Sequence, residues 1–546
     1  MPQLGQTTFA FAAFTGDAQF GSATFTGYAL FDSATFTGYA LFDSATFTGY
    51  ALFGSATFTR DAQFGSATFA KDAWFSLATF TKDARFRSAT FAKNAWFDSA
   101  TSTKDAWFGS TTFTGDAVFD LATFTRDAQF GSATFTGYAL FDSATFTDDA
   151  WFGSTTFHAD VDFEGASFET DVAFQRVAFE QAGSLGPLVC AGRVWLSGAE
   201  FARPVVITMA ARHVECRRTR WSSTAELRLR YATVDFSHAV FEYPLTIAAE
   251  AGPFVLTDGQ VMAEQVFAGA PDASVRIASL RGVDAAHLVL AGLDLTQCLF
   301  VGTVHLDQLR LEGACVFDTV PLPAGAGRGL RFAARRTLAE EQHWRAGRPG
   351  AARGWNTAVL GAGDVGPAEL EPVYRALCKA FEDGKNEPGA ADFYYGEMEM
   401  RRHDREGTPA AERRLLHAYW ALSGYGLRAL RAVYWLAATM LATVVLLMVF
   451  GISQDTPKQQ ATGTVPPGGG KVTFEIDKDD PKNPSGNKLT GDRFEKALNV
   501  TLNSLVFRSS GQELTTAGTY IEMFSRVTEP VLLGLAVLSV RNRVKR

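Results

Sequence analysis

Between residues 9 and 179 a large apolar side chain recurs at alternating steps of five and six. The series runs Phe9, Phe14, Phe20, Phe25, Phe31, Phe36 and onward to Phe168, Phe174 and Phe179. Of its 32 positions, 31 are Phe and one is Ser102. Ala stands two residues before most of them, as at Ala12, Ala18, Ala23 and Ala29. On an α-helix a step of five turns the side chain by about 140°, so successive Phe would leave a common stripe. Ala-x-Phe instead has the period of a strand: Ala and Phe face one way, the residue between them the other. The intervening Asp-Ser, Gly-Ser and Thr-Gly pairs are small, polar turn formers. The pattern predicts short strands, with one strand and one corner for each step of the series. With four sides, a coil takes about 22 residues and rises about 4.8 Å, so about eight coils make a rod of ~40 Å.

This pattern resembles the pentapeptide-repeat family, whose members place Leu or Phe at a central position and Ala two residues earlier. The resemblance covers residues 9–180. It implies a right-handed quadrilateral β-helix. Every second unit carries one extra corner residue, as in Phe36-Thr37-Gly38-Tyr39-Ala40. The expected fold is therefore mainly β: a β-helix, then an α-helical region, then C-terminal transmembrane helices.

A coil of this length also stacks the outward residues in columns. Two columns are almost all Thr, beginning at Thr24 and Thr35. A third is mixed: Gln19, Leu41, Gln63, Arg85, Trp107, Gln129 and Trp151. The fourth is apolar: Leu30, Leu52, Trp74, Trp96, Val118 and Leu140. That face is the candidate interaction surface, for a protein partner or a second copy of the chain. The alternative is that these side chains only shield the ladder beneath them. Ser102 breaks the inner series, and a cavity, a water or an inward relaxation is expected there.

Residues 181–330 lose the strict period but keep short β-rich runs, such as Val194-Trp195-Leu196 and Val205-Val206-Ile207. They read as a degenerate continuation of the β-helix that also covers its open edge. His213, Glu215 and Cys216, and His305 and Asp307, match no metal-ligand spacing, so no metal is expected. Arg217, Arg218, Arg220, Arg228 and Arg230 read as a solvated basic face, with contact to anionic lipid heads as the alternative.

Over 331–432 the composition turns helical. Arg335–Arg345 reads as a short helix, 346–368 as a Gly/Ala/Pro-rich linker, and 370–384 with 389–404 as a helical hairpin. The stretch Ala391–Arg402 (ADFYYGEMEMRR) resembles the juncture helix of membrane-attached bacterial pentapeptide-repeat proteins. Glu397 and Glu399 in it read as surface charge, since no nucleophile or His lies at a compatible spacing.

Residues 433–546 form the expected membrane domain. Val433–Ile452 is an uncharged run of 20 residues, about 30 Å as a helix and enough to span a bilayer. Arg413, Arg414, Arg428 and Arg431 precede it and predict a cytoplasmic N-terminal side. An exposed loop (454–493) and an amphipathic segment (494–507) follow, then a second span over 521–540. Glu522, Arg526 and Glu529 share one face of that span, which should point to a bundle centre or to water. Arg541, Arg543, Lys545 and Arg546 favour a cytoplasmic C-terminus. This order is also that of a two-helix potassium channel. Thr515-Thr516-Ala517-Gly518-Thr519-Tyr520 resembles the start of a TTVGYG filter, which would place Thr515, Thr516 and Gly518 at a degenerate filter. Thr519 and Tyr520 depart from that motif.

Charge and cysteine narrow the classes. Residues 1–180 hold 20 acidic and 9 basic residues, a net −11, and the chain as a whole is −8. A basic nucleic-acid footprint is absent from the repeat, and no nucleic acid is expected as a partner. The resemblance to pentapeptide-repeat proteins that protect DNA gyrase does imply one alternative, an acidic rod that mimics DNA. The five cysteines are scattered, with no Cys-x-x-Cys, which suits a reducing compartment. The start, MPQLGQTTFA, does not read as a secretory signal. No catalytic constellation or cofactor motif is present. The reading is a multi-pass cell-membrane scaffold with both termini cytoplasmic, whose partners are the lipid bilayer and a protein of unknown identity.

Overall fold

The computed structural model describes residues 3–270, 272–321, 335–349, 354–356, 361–452, 467–468, 488–508 and 511–544. Most of the loop expected over 454–493, and part of the linker at 346–368, lie outside these residues. The chain divides into two compact units, 1–385 and 386–546.

The first unit is built on a parallel β-solenoid of about 14 turns. Each coil of the regular part has four short strands, and each strand pairs in parallel with its counterpart in the next coil. Thr24-Phe25 pairs with Thr46-Phe47, and Ala29-Leu30 with Ala51-Leu52. On the remaining sides Thr35-Phe36 pairs with Thr57-Phe58, and Ala40-Leu41 with Ala62-Gln63. The Phe rings form four stacked columns inside, with Phe31–Phe53 and Phe36–Phe58 both at 4.8 Å and nearly parallel. Rings of opposite columns meet edge to face, as Phe31 and Phe42 do at 5.5 Å. The Ala positions are buried beside them and fill the space a larger side chain would overpack.

Two kinds of corner alternate. In one, the second residue adopts a left-handed conformation, mostly Ser (Ser22, Ser33, Ser44) but also Leu77 and Leu121. In the other, the extra residue of every second unit is accommodated by close backbone approach. A Cβ on Gly38 would lie 2.4 Å from the Gly16 carbonyl carbon, so a side chain there would have to displace backbone, whereas the same corner of later coils holds Arg60 and Lys82. Side chains stitch successive coils. Thr37 and Thr48 hydroxyls donate to the carbonyls of Phe14 (2.9 Å) and Phe25 (3.1 Å). Corner acids accept backbone N–H groups of the next coil: Asp32 from Gly54 (3.1 Å) and Asp120 from Asp142 (3.0 Å).

Ser102 leaves a cavity of about 10 Å³ lined by Phe80, Phe97, Phe108, Phe119 and Phe124. Its hydroxyl is buried without a hydrogen-bond partner. Thr111 and Thr155, which replace Ala in the inner series, are different: they donate to the carbonyls of Phe86 (2.7 Å) and Phe130 (2.8 Å).

The solenoid continues past residue 180 on longer strands, Ser184–Trp195, Val205–Glu215 and Ala225–Arg230. The inner stack runs on through Phe179, Phe201 and Trp221 at 4.8 and 4.2 Å. An insertion near residues 250–275 is held by the buried pair Arg230–Glu264 at 2.8 Å and by Tyr231 stacked on Phe267. At the C-terminal end α1 (Ala339–Ala346) closes the ladder. The carboxylate of Glu340 accepts the N–H groups of Phe300 and Val301, at 2.6 and 3.0 Å. The next residue, Glu341, is fully buried between Arg335, Arg345 and the Tyr374 hydroxyl. Burial opposes its ionisation, but the two guanidiniums prevail and hold the carboxyl well below the usual range, at about 2.

Helix α2 (Pro367–Asp383) packs on this end. Phe381, from the Val373–Leu377–Phe381 stripe, meets Phe317 edge to face at 5.8 Å. The hairpin expected at 370–404 spans the boundary between the two units. α2 belongs to the first unit and α3 (Glu387–His403) to the second. The apolar end of a solenoid is a partner that sequence periodicity does not display.

The second unit contains α3, α4 (Ala410–Ser423), α5 (Ala429–Leu446), α6 (Gly491–Leu505) and α7 (Thr516–Val544). A π-helical turn, Leu447–Gly451, extends α5. Two helices, Ala429–Gly451 and Thr516–Arg541, are long and apolar enough to cross a membrane. They pack on each other, and α6 packs against both, with Ala497 and Val500 clustered with Val444, Leu447 and Met448 of the first and Ile521 of the second packed on that cluster. Arg493 of α6 donates to the carbonyls of Met448 and Ile452 at 2.7 and 2.6 Å, capping the end of the first apolar helix.

Glu397 and Glu399 are buried, which corrects their reading as surface charge. Glu399 accepts from Arg402 (2.9 Å) and from the fully buried Tyr425 hydroxyl (3.0 Å). The guanidiniums of Arg402 and Arg431 lie over the Trp420 ring at 4.4 and 5.0 Å, and the Trp420 indole N–H donates to the Tyr395 hydroxyl. This node joins α3, α4 and the start of α5. It explains the aromatic and arginine density of the juncture, whose charges are desolvated and therefore paired.

Candidate functional site

The residues between the inner Ala and Phe positions face outward, so the ladder sets the solenoid's surface chemistry. Leu30, Leu52, Trp74, Trp96, Val118 and Leu140 are consecutive in one parallel sheet, with Leu52 opposite Trp74, Trp74 opposite Trp96 and Val118 opposite Leu140. At about 4.8 Å per strand the strip is ~24 Å long. It is bounded by Thr8 before Leu30 and by Asp162 after Leu140. Aromatic corners extend it: Tyr28 stacks on Tyr50 at 5.2 Å and Tyr50 meets Trp74 at 5.6 Å. Val118 is buried and the other five are half-buried, so each lies against its neighbours along the ladder. The Trp96 indole N–H is buried with no hydrogen-bond partner. The opposite face, with Gln63, Arg85 and Trp107, is polar by comparison; Arg85 pairs with Asp83 at 2.9 Å.

The rod's acids are mostly structural. Asp72, Asn94 and Asp116 form a corner ladder in which each side-chain oxygen accepts the N–H of the next coil, at 3.2, 3.1 and 3.0 Å. Burial, and then the neighbouring carboxylates, push Asp120 and Asp162 above the ordinary carboxylate range.

The five arginines that are adjacent in sequence do not form one face. Arg217 pairs with Asp235 (2.7 Å), Arg220 with Glu242 (2.7 Å) and Arg228 with Glu226 (2.7 Å), each exposed. Arg230 is buried against Glu264, which corrects its reading as solvated. The His and Cys residues near Glu215 diverge as well: Cys216 is buried in the core, and burial with the nearby Arg193 charge pushes His213 below its usual value. His305 pairs with Asp284, and Asp307 with Lys379.

In the second unit Thr515 precedes α7, and Thr516 and Gly518 lie in its first turn. The Thr515 hydroxyl donates to the Phe450 carbonyl at 2.6 Å and accepts the Gly518 N–H at 3.1 Å. A Cβ on Gly518 would lie 2.4 Å from the Gly451 carbonyl oxygen. These residues therefore form a capped helix start and a close helix crossing. The extended filter strand expected from the motif is not formed, because Thr516 and Gly518 lie in the first turn of α7. Of the expected charged face, Glu522 and Glu529 are buried and Arg526 pairs with Glu522 at 2.7 Å. Glu529 accepts from Thr443 of α5 at 3.0 Å, so this face turns toward protein.

A family model described as pentapeptide repeats (9 copies) matches residues 42–90, 108–156 and 141–186. No curated protein and no solved structure matches the chain. The repeats within residues 42–186 are thus pentapeptide repeats, and pentapeptide-repeat families are generally non-catalytic structural or interaction modules.

Proposed function

We propose that the protein is a membrane-anchored scaffold without catalytic activity that presents its solenoid to a protein partner in the cytoplasm. The carrying observation is the outward strip from Leu30 to Leu140. Six consecutive coils place apolar side chains on one face, flanked by stacked tyrosines, while the opposite column alternates with Gln and Arg. An apolar strip of that length on a stiff ladder suits contact with another macromolecule.

Anchoring rests on the two apolar helices, which cross closely at Gly451 and Gly518. The arginines before α5 and the aromatic residues Trp420, Tyr434 and Trp435 suit a cytoplasmic interface on that side, with both termini inside. The test is cross-linking or proximity labelling of the full-length protein in its native membrane, with and without Trp74→Ser and Trp96→Ser. The expected result is loss of specific protein neighbours with membrane location unchanged. A neighbour set and oligomeric state identical to the parent chain would overturn the reading.

A further inference from the structure

A second surface, on the later coils of the solenoid, has different chemistry. Trp195, Glu215 and Asp235 lie opposite one another in successive strands, and after a register shift Asp235 faces the buried Ser279. Nearby two-residue corners stack in register: Arg176 donates its N–H to Ser197, Gly198 to Arg217, Arg218 to Ser237 and His238 to Arg281. The second residue of each corner is left-handed, in the order Arg176, Gly198, Arg218, His238 and Gly282. In the coils before Arg176 the same position is Ser110, Ser132 and Ser154. A column of small residues thus becomes a column of Arg and His interleaved with glycine. The glycines make room. A Cβ on Gly282 would lie 2.3 Å from the His238 Nδ1, and one on Gly198 would lie 3.2 Å from the Arg176 Cγ.

Together with Arg193 and Arg281 this column borders an open groove of about 1160 Å³. Five guanidiniums, Arg176, Arg193, Arg217, Arg218 and Arg281, line it against two carboxylates. Both carboxylates are already neutralised: Glu215 faces Arg193 at 3.4 Å, and Asp235 pairs with Arg217. Arg281 is fixed by the carbonyls of Gly361 and Ala362. Arg176 and Arg218 make no side-chain hydrogen bond or ion pair among the described residues. The Nε atoms of Arg193 and Arg281 are buried and also lack partners. Excess cation, with Arg176 and Arg218 unpaired, therefore lines a groove on a chain whose segment 1–180 carries a net −11.

We infer that this groove binds a short phosphate-bearing anion. The guanidiniums of Arg176 and Arg218, unpaired among the described residues, line the groove together with Arg193 beside Trp195, and guanidinium forks suit the several oxygens of a tetrahedral phosphate. Arg176 and Arg218 stand two coils apart, ~10 Å along the axis, which a ligand with more than one anionic group would bridge. The acidic rod preceding the groove repels a long polyanion, so the ligand is confined to these coils. The source is either a soluble phosphate compound or a phosphomonoester lipid headgroup.

The test is calorimetric titration of pyrophosphate into the full chain in phosphatidylcholine nanodiscs, repeated in nanodiscs that also contain phosphatidic acid. Saturable binding is expected, weakened about tenfold or more in Arg176→Gln/Arg218→Gln, as for loss of charge-assisted hydrogen bonds. It should be unchanged in Arg220→Gln, whose partner is Glu242 on another face. Competition by phosphatidic acid identifies the headgroup as the source, and equal binding in both discs identifies a soluble ligand. No binding at millimolar pyrophosphate, or binding undiminished in the double variant while Arg220→Gln behaves alike, would overturn the inference.

Discussion

Filling the one gap in the Phe series tests the account of the core. Phe58 and Phe80 stack at 4.9 Å and Phe124 and Phe146 at 5.0 Å, with Ser102 between the two pairs. Phe80 and Phe124 are two coils apart, so a ring at 102 meets both at the spacing the column uses elsewhere. The other walls of the site include Phe97, Phe108 and Phe119, rings of the adjoining columns. Burying a Phe side chain is worth about 1.5–3 kcal/mol, and removing the orphaned Ser102 hydroxyl returns about 1 kcal/mol. Fixing the new ring's rotamer offsets roughly 0.5–1 kcal/mol. Ser102→Phe is therefore expected to stabilise by about 3 kcal/mol, and Ser102→Ala, which only removes the hydroxyl, by about 1 kcal/mol. The assay is native-state hydrogen exchange of the coils between Phe80 and Phe124, alongside urea unfolding of the full chain followed by circular dichroism. A local measurement is needed because a solenoid's stability is a sum over neighbouring coils. Unchanged or reduced protection in Ser102→Phe, with Ser102→Ala no better than the parent, would refute the reasoning.

Other positions give independent tests. Leu77 and Leu121 are left-handed and exposed, at 59% and 60%, so Leu77→Gly and Leu121→Gly should each stabilise by about 0.5 kcal/mol in urea unfolding. Glu341→Gln leaves Arg335 and Arg345 facing a neutral group and should destabilise the C-terminal closure by about 3–5 kcal/mol, read by proteolysis near α1 and α2. Because the Glu341 carboxyl is held below its unfolded value of 4.5, its contribution is full above that pH and is lost as pH falls toward 2. The parent chain's closure should therefore weaken over that window, and the Gln variant should lack this component. Gly518→Val forces a side chain onto the Gly451 backbone and should destabilise the crossing of the two apolar helices by about 1–3 kcal/mol, measured as thermal stability in detergent.

The regular coils were legible because every inner position is the same residue, so the period, the sidedness and the four outward columns followed from spacing alone. The strip from Leu30 to Leu140 follows from the same spacing. The groove does not, because the later coils change length. Trp195, Glu215 and Asp235 recur at a shorter interval than the regular coil, and Ser279 follows only after an insertion. Adjacency in sequence grouped Arg217 with Arg230, whereas the register groups Arg218 with Arg176 and His238. The available signal was the corner position itself, where Ser gives way to Arg. The α2 partner and the burial of Glu399 were hidden for another reason. Each depends on a surface made by distant residues, the solenoid's end for one and Tyr425 with Arg402 for the other. The residues of the expected filter were misplaced because a Thr that caps a helix and a Thr that lines a strand look alike in sequence.

The ladder register also constrains how such a chain can change length. Residues 31–41 and 42–52 are identical in sequence, and residues 20–30 and 130–140 differ from them at one position. Slippage at such duplicated coding sequence adds or removes one five-plus-six unit, which is half a coil. Each half-coil event turns everything on one side of the insertion by half a revolution about the rod axis. It would bring the polar column of Gln63 and Arg85 into line with the apolar strip and cut that strip in two. Paired events restore the phase and change only the length, by one strand spacing. If the strip is what a partner reads, inheritance of this protein is counted in whole coils: rods of different length are tolerated, and rods of odd half-coil number are not.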